Sequence, residues 1–176
     1  YLELPSKTKA MNNVFCYLRD RNKTLTADGG DTNGELTRSS AVMLLNRCKE
    51  EHGLDAEATF ADGGGNYNLL AALAAQICGC RGFGIEYVPV RTYVAACSFL
   101  DAMEDNANKG SLIDRRVAYV VCDLFNLRSL HPCTHAHFFD EAFDRLLYEH
   151  NVRVCANTRT LTHILSFKAS KNRSLH

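Results

Sequence analysis

The stretch from Thr59 to Tyr87, TFADGGGNYNLLAALAAQICGCRGFGIEY, constrains the fold more than any other part of the chain. A short apolar segment runs into Asp62, then Gly63, Gly64, Gly65, Asn66, Tyr67 and Asn68. An alanine-rich helical pattern follows, and a second apolar segment ends in Glu86. Strand, tight loop, helix and strand in that order form a βαβ unit, whose crossover makes the two strands parallel.

The same rhythm continues downstream. Strand candidates at Ala58–Asp62, Gly82–Tyr87, Arg116–Asp123, Thr134–Phe139 and Val152–Ala156 alternate with helices over Asn68–Cys78, Val90–Asn106 and Asp140–His150. This alternation predicts an α/β fold with a mostly parallel central sheet and helices on both faces. RVAYVVCD, from Arg116 to Asp123, has the continuous apolar run of a strand covered on both sides. Upstream, a short helix is expected over Asn12–Arg21, and another, capped by Ser39 or Ser40, ends near Gly53. The last segment, TRTLTHILSFKASKNRSLH, adds one more strand or forms an irregular tail.

At 176 residues and 46% apolar, the chain is long enough for one domain with a real core. No apolar run approaches the roughly 18 residues of a membrane span, so no membrane partner is expected. No charged-then-apolar signal segment opens the chain, an intracellular place is expected, and the Tyr1 start reads as part of a longer protein. Cys16, Cys48, Cys97, Cys122 and Cys155 fall in apolar periodic segments, where they are expected as free thiols. The 20 Lys and Arg balance 20 Asp and Glu, which excludes a global field drawing the protein to nucleic acid. From Val152 to His176, however, Arg153, Arg159, Lys168, Lys171 and Arg173 stand without an acid. That end is either a contact for phosphates or an ordinary solvated tail.

The informative residues are the acids at the strand ends. In open α/β sheets a ligand sits beyond the carboxyl ends of the strands, where the winding reverses. Asp62, Glu86 and Asp123 close the first, second and third predicted strands. A dinucleotide fold places a pyrophosphate on the glycine loop, and Asp62 at the mouth of that loop repels it. S-adenosylmethionine instead brings a sulfonium and an ammonium to the loop, ribose hydroxyls to the second acid, and an adenine amino group to the third. Three strand-end acids fit that cationic nucleoside better than a dinucleotide. Asn66 and Asn68 tolerate left-handed backbone and are able to stand for glycine in the loop.

These residues resemble the Dot-one (disruptor of telomeric silencing) class of histone lysine methyltransferases, which lack a SET domain. That family has YGEL before a helix, F-x-D-x-G-S-G-x-G-N at the glycine loop, and GC…FG-x-E after it. Here NGEL at Asn33–Leu36, FAD at Phe60–Asp62 and CGCRGFGIE at Cys78–Glu86 occur in the same order. CDLF at Cys122–Phe125 and FFDEAF at Phe138–Phe143 resemble later family segments. Counted back from Glu86, Asn68 aligns with the residue that closes the family's loop, which leaves this loop one residue short. Asn33 replaces the family's tyrosine, and His135, Ala136 and His137 stand where the family has Asn-Asn-Phe.

The resemblance covers roughly Thr32 to Ala156 and implies a class I (Rossmann-like) S-adenosylmethionine-dependent methyltransferase fold. It implies an N-terminal helical segment with a cofactor-covering loop over residues 1–38 and a methyltransferase core over 39–176. By carry-over, Glu35 and Thr37 lie over the cofactor. Asp62 and Gly64 lie at its methionine part, with Gly63 and Gly65 as further cofactor-binding residues of the loop and Asn68 beside it, Glu86 on its ribose, and Asp123 with Leu124 or Phe125 at its adenine. His137, Phe138 and Phe139 are candidates for the wall of a lysine channel, with core packing as the other reading of the two phenylalanines. The implied reaction is methylation of a lysine in the globular core of histone H-three on nucleosomes, in the nucleus, yielding S-adenosylhomocysteine. DNA phosphates are then candidate contacts of the basic C-terminal segment. Two alternatives stand beside this reading: a class I methyltransferase for another protein or a small molecule, and a non-catalytic chromatin-binding module that keeps the fold.

HPCTHAH places His131, Cys133, His135 and His137 at every second position, on one face of a strand. Neighbours in such a ladder are about 6.6 Å apart and the outermost pair about 20 Å, so one ion cannot take all four. A pair such as His135 with His137 holds a metal only if another element contributes a ligand; no metal is expected, and lining of the active-site mouth and ordinary strand histidines are the other two readings. CGC at Cys78–Cys80 reads as a helix end rather than a ligand pair.

Overall fold

A computed structural model describes residues 36–104 and 116–166. In chain order the elements are α1 (Arg38–His52), β1 (Thr59–Gly63), α2 (Leu69–Cys78), β2 (Arg81–Glu86), α3 (Pro89–Glu104) and β3 (Val117–Val121). A 3-10 turn over Leu124–Asn126, β4 (His135–Phe138), a second 3-10 turn over Asp140–Ala142, α4 (Arg145–Ala156) and β5 (His163–Ser166) complete them. The five strands form one sheet in the order β3-β2-β1-β4-β5, and every pairing is parallel. The chain winds outward from β1 through β2 to β3, then crosses back to lay β4 on the other side of β1. The winding therefore reverses between β1 and β4.

Alternation along the strands sorts residues onto two faces. Phe60 joins Leu45 and Cys48 of α1 and Leu70, Leu73 and Ala74 of α2 in one buried cluster. Ala61, Ile85, Ala136 and Phe138 join Val154 and Cys155 of α4 in another. Phe99 of α3 packs with Ala72 and Ala75 of α2, which places α3 beside the first cluster. The α2 helix ends at Cys78 with Gly79 in the left-handed region, so CGC is the helix end the sequence suggests. The seven described cysteines, Cys48, Cys78, Cys80, Cys97, Cys122, Cys133 and Cys155, are free. Among the described residues no helix is long and apolar enough to cross a membrane.

Several expectations need correction. Val152–Ala156 is the last part of α4, not a strand. Asn151, Val154 and Cys155 are buried at helical spacing while Val152 and Arg153 face outward, and so short an apolar run suits either period. The edge strand on that side is β5, supplied by the segment with two readings. Arg116–Asp123 holds a strand, but β3 lies at the opposite edge with Val120 and Val121 exposed, rather than covered on both sides. The cap of α1 is Thr37, whose hydroxyl accepts the Ser40 N–H at 3.2 Å, not Ser39 or Ser40. Asp144 caps α4 by accepting the Leu147 N–H at 2.7 Å, so that helix starts later than Asp140. The helix expected over Asn12–Arg21, and nearly all of the segment 1–38, lie outside the described residues.

Leu73 is fully buried between α1 and the sheet, whereas Leu146 on α4 is 68% exposed. Leu73→Ala is expected to lower unfolding free energy by about 2–5 kcal/mol in urea denaturation, and Leu146→Ala by about 0.5 kcal/mol or less.

Candidate active site at the carboxyl ends of the strands

The site begins at the β1–α2 loop. Gly64, Asn66 and Asn68 have φ of 69°, 54° and 54°, so every second residue after Asp62 is left-handed. Asparagine is among the few residues other than glycine that enter this region at modest cost. Asn68 occupies the N-cap position of α2 without using its side chain as a cap. That side chain is wholly buried against Gly84 of β2: a Cβ on Gly84 would lie 2.3 Å from the Asn68 Cβ. Among the described residues, neither Oδ1 nor Nδ2 of Asn68 has a hydrogen-bond partner.

Glu86, at the end of β2, ties this loop to the sheet. The Asn66 N–H donates to its Oε2 at 3.0 Å and the Val88 N–H to its Oε1 at 2.9 Å. Arg91 Nη1 stands 3.7 Å from Oε1. The carboxyl group is buried, and burial raises its pKa above the ordinary range although the two N–H donors and Arg91 pull the other way. Each carboxylate oxygen has two acceptor positions, so ribose hydroxyls fit the chemistry of this group.

The remaining expected residues are dispersed. Asp123 is exposed, and its carboxylate accepts the Phe125 N–H at 2.9 Å, starting the turn after β3. Leu124 is buried in the α4-side cluster and borders the glycine loop. Phe125 is 47% exposed, with its ring 5.4 Å from that of His150. Gly63 ends β1 facing the Phe138 ring, and Gly65 packs against Asp62 and Asn68. Thr37 is exposed and caps α1, while Glu35 lies outside the described residues.

The contact the sequence did not reveal lies between β1 and β4. Asp62 pairs in register with His137, and His137 Nδ1 lies 2.8 Å from Asp62 Oδ1, both side chains being buried. Among the described residues, His137 Nε2 is buried without a hydrogen-bond partner. Asp62, Gly65, His137 and Phe139 share a cleft of about 40 Å³ with Leu36, Ala41, Leu69 and Leu70. A roomier cavity of about 430 Å³ between β4, β5 and α4 holds none of the strand-end acids. Of its two readings Phe138 takes core packing: it points to the opposite face from His137 and packs against Ala61 and Leu124. Only His137 and Phe139 of the three channel candidates reach the cleft.

The rest of the histidine ladder is structural. His135 Nε2 donates to the His52 carbonyl at 2.9 Å, its ring stacks on His163 at 4.7 Å, and burial lowers its pKa. Among the described residues no three His, Cys, Asp or Glu side chains are grouped to hold a metal ion.

The raised pKa of Glu86 has a definite sign. The folded state holds this proton more tightly than the unfolded chain, so the charged group costs stability above its folded pKa. That cost disappears as pH falls from the folded pKa to the ordinary glutamate value. A carbon-13 carboxyl titration is expected to place Glu86 above the exposed glutamates, with stability relative to Glu86→Gln improving through that same window on acidification.

No protein-family model and no curated protein matches the chain. Solved structures do. A methyltransferase dependent on S-adenosylmethionine from Thiobacillus denitrificans, in complex with S-adenosyl-L-homocysteine, aligns with a TM-score of 0.59 at 16% identity, covering 83% of this chain and 54% of its own. One from Geobacter sulfurreducens, in the same complex, aligns at 0.55 and 16% identity, covering 76% and 50%. Geranyl diphosphate C-methyltransferase from Streptomyces coelicolor A3(2) aligns at 0.51 and 12% identity, covering 94% and 66%. The chain thus spans about half to two thirds of the length of these structures. With its parallel five-stranded sheet, it has the class I, Rossmann-like fold of S-adenosylmethionine-dependent methyltransferases.

Proposed function

We propose that this chain is the cofactor-binding core of a class I methyltransferase that uses S-adenosylmethionine and acts on an acceptor other than histone lysine. The observation that carries the reading is the left-handed Gly64–Asn68 loop, with buried Asp62 at its mouth and Glu86 bonded to its middle. The Asn68 amide and His137 Nε2, buried and without partners among the described residues, are polar groups that a ligand can satisfy there.

In this reading Asp62 and the loop backbone hold the methionine end, Glu86 the ribose, and Asp123 with the turn after it the adenine. The bound group supplies a methyl carbon made electrophilic by its sulfonium. The chain's contribution is to position and desolvate, and the apolar cleft walls Leu36, Leu69, Leu70 and Phe139 serve to exclude water. The fold neighbours described as S-adenosylmethionine-dependent, together with one that acts on geranyl diphosphate, support a non-histone acceptor.

The histone reading, with nucleosomes as partner and a nuclear site of action, rests on the NGEL, FAD, CGCRGFGIE, CDLF and FFDEAF segments. It ranks second because Phe138 belongs to the core and histidines replace the family's entrance residues.

Calorimetric titration of the whole chain with S-adenosylmethionine tests the cofactor. Micromolar binding is expected, weakened about tenfold or more in Glu86→Ala, since a charge-assisted hydrogen bond contributes about 1.5–3 kcal/mol. In Gly65→Ala the new Cβ meets the Asp62 carboxylate at 2.5 Å and the Asn68 amide at 2.7 Å, and comparable weakening is expected. No binding by the intact chain, or binding of NAD instead, overturns the reading. Methyl transfer to nucleosomes in preference to small hydroxyl compounds restores the histone reading.

A further inference from the structure

We propose that His137 is the general base of this site: its Nε2 removes the proton of a hydroxyl on the methyl acceptor, with Asp62 as the residue that positions it. This rests on the methyltransferase reading above and names the acceptor class that reading leaves open.

The argument starts from topology. The winding reverses between β1 and β4, and beyond the carboxyl ends of those strands an open α/β sheet forms its ligand crevice. Asp62 and His137 are the pair in register there, one residue before each strand ends. The Nδ1–Oδ1 distance of 2.8 Å is that of a hydrogen bond, and an ionised carboxylate only accepts. Nδ1 therefore carries the hydrogen, and in the neutral ring that leaves Nε2 as the bare, lone-pair nitrogen. Among the described residues that nitrogen is buried with no partner, a costly state for an acceptor unless a ligand donor meets it. His137 lines the cleft with Phe139 and Leu70, apolar neighbours that keep water from competing for the position.

A bare imidazole nitrogen backed by a carboxylate suits a particular class of acceptor. A neutral amine attacks with a lone pair it already has, whereas a hydroxyl must shed its proton to become a strong nucleophile near neutral pH. Imidazole titrates close to that pH, and the carboxylate behind it stabilises the imidazolium that forms. In the transfer, the hydroxyl oxygen forms a bond to the methyl carbon. The carbon–sulfur bonding pair stays on sulfur, and the hydroxyl proton moves to Nε2. The imidazolium, paired with the Asp62 carboxylate, then returns its proton to solvent, so charge and atoms balance.

The test uses the whole chain with two probes, catechol and 4-nitrocatechol, the second of which is already ionised at neutral pH. Long-range proton–nitrogen correlation of labelled protein, with His137→Asn to assign the ring, is expected to show Nδ1 protonated and Nε2 bare. Asp62→Asn is expected to weaken that preference. In His137→Asn, kcat for catechol is expected to fall by about 10²–10⁴-fold and kcat for 4-nitrocatechol by about tenfold or less, because the ionised probe needs no base. An equal fall for both probes marks a structural role and overturns the proposal, as does a protonated Nε2 or transfer to neither phenol. Calorimetry on the same samples separates the two levels: cofactor binding with any of those results sinks the base alone, whereas no cofactor binding sinks the methyltransferase reading and the base with it.

Discussion

The parallel pairing of β1 on both sides is the constraint on which the site depends. Asp62 lies in register with Gly84 of β2 on one side and with His137 of β4 on the other. Side chains alternate along a strand, so a slip of one residue in either pairing would move Asp62 to the opposite face from its partners. The hydrophobic pattern fixes that register. Phe60 must meet the α1–α2 cluster, and Ala61 must meet the α4 side. Core packing and site assembly are therefore one event, with the apolar residues on either side of Asp62 aiming its carboxylate.

The second constraint is the burial of two carboxyl groups at neighbouring strand ends. A buried carboxyl group is tolerated when its oxygens are hydrogen-bonded. Glu86 meets this with the backbone N–H groups of Asn66 and Val88, and Asp62 with the His137 ring. The first arrangement also ties the loop to β2, with the Asn66 N–H reaching Glu86 from a backbone that is left-handed at Gly64, Asn66 and Asn68. Asn68 then fits its side chain over Gly84, where any Cβ would collide with it. Loop conformation, strand-end acid and a glycine on the next strand thus depend on one another.

Much of this was legible in the order of residues. Ala58–Asp62, Gly82–Tyr87 and Thr134–Phe139 were located to within a residue or so, because parallel strands flanked by helices leave short apolar runs between polar loops. That Asn66 and Asn68 tolerate left-handed backbone was legible from residue type, as was the end of α2 at Gly79; that both adopt it is shown by the fold. Val152–Ala156 lies in a helix where its sequence suggests a strand, because five apolar-rich residues fit helix and strand periods alike. The placement of β3 at an edge was hidden for a different reason: strand order is not a local property, and VAYVV reads the same at an edge or in the centre.

The sequence by itself determined the βαβ rhythm, a loop that tolerates left-handed backbone and the presence of an acid at each of three strand ends, since these follow from local backbone preference and from the spacing of apolar residues. Only the tertiary structure decided which residues meet. His137 lies 75 positions from Asp62, and nothing in HPCTHAH distinguishes it from His135, which instead bonds the end of α1. Nor does sequence show that Phe138 turns into the core while Phe139 reaches the cleft. The physical reason is the crossover that brings β4 back beside β1: a contact made by parallel pairing across that distance has no local signature, and it exists once the sheet has closed around its central strand.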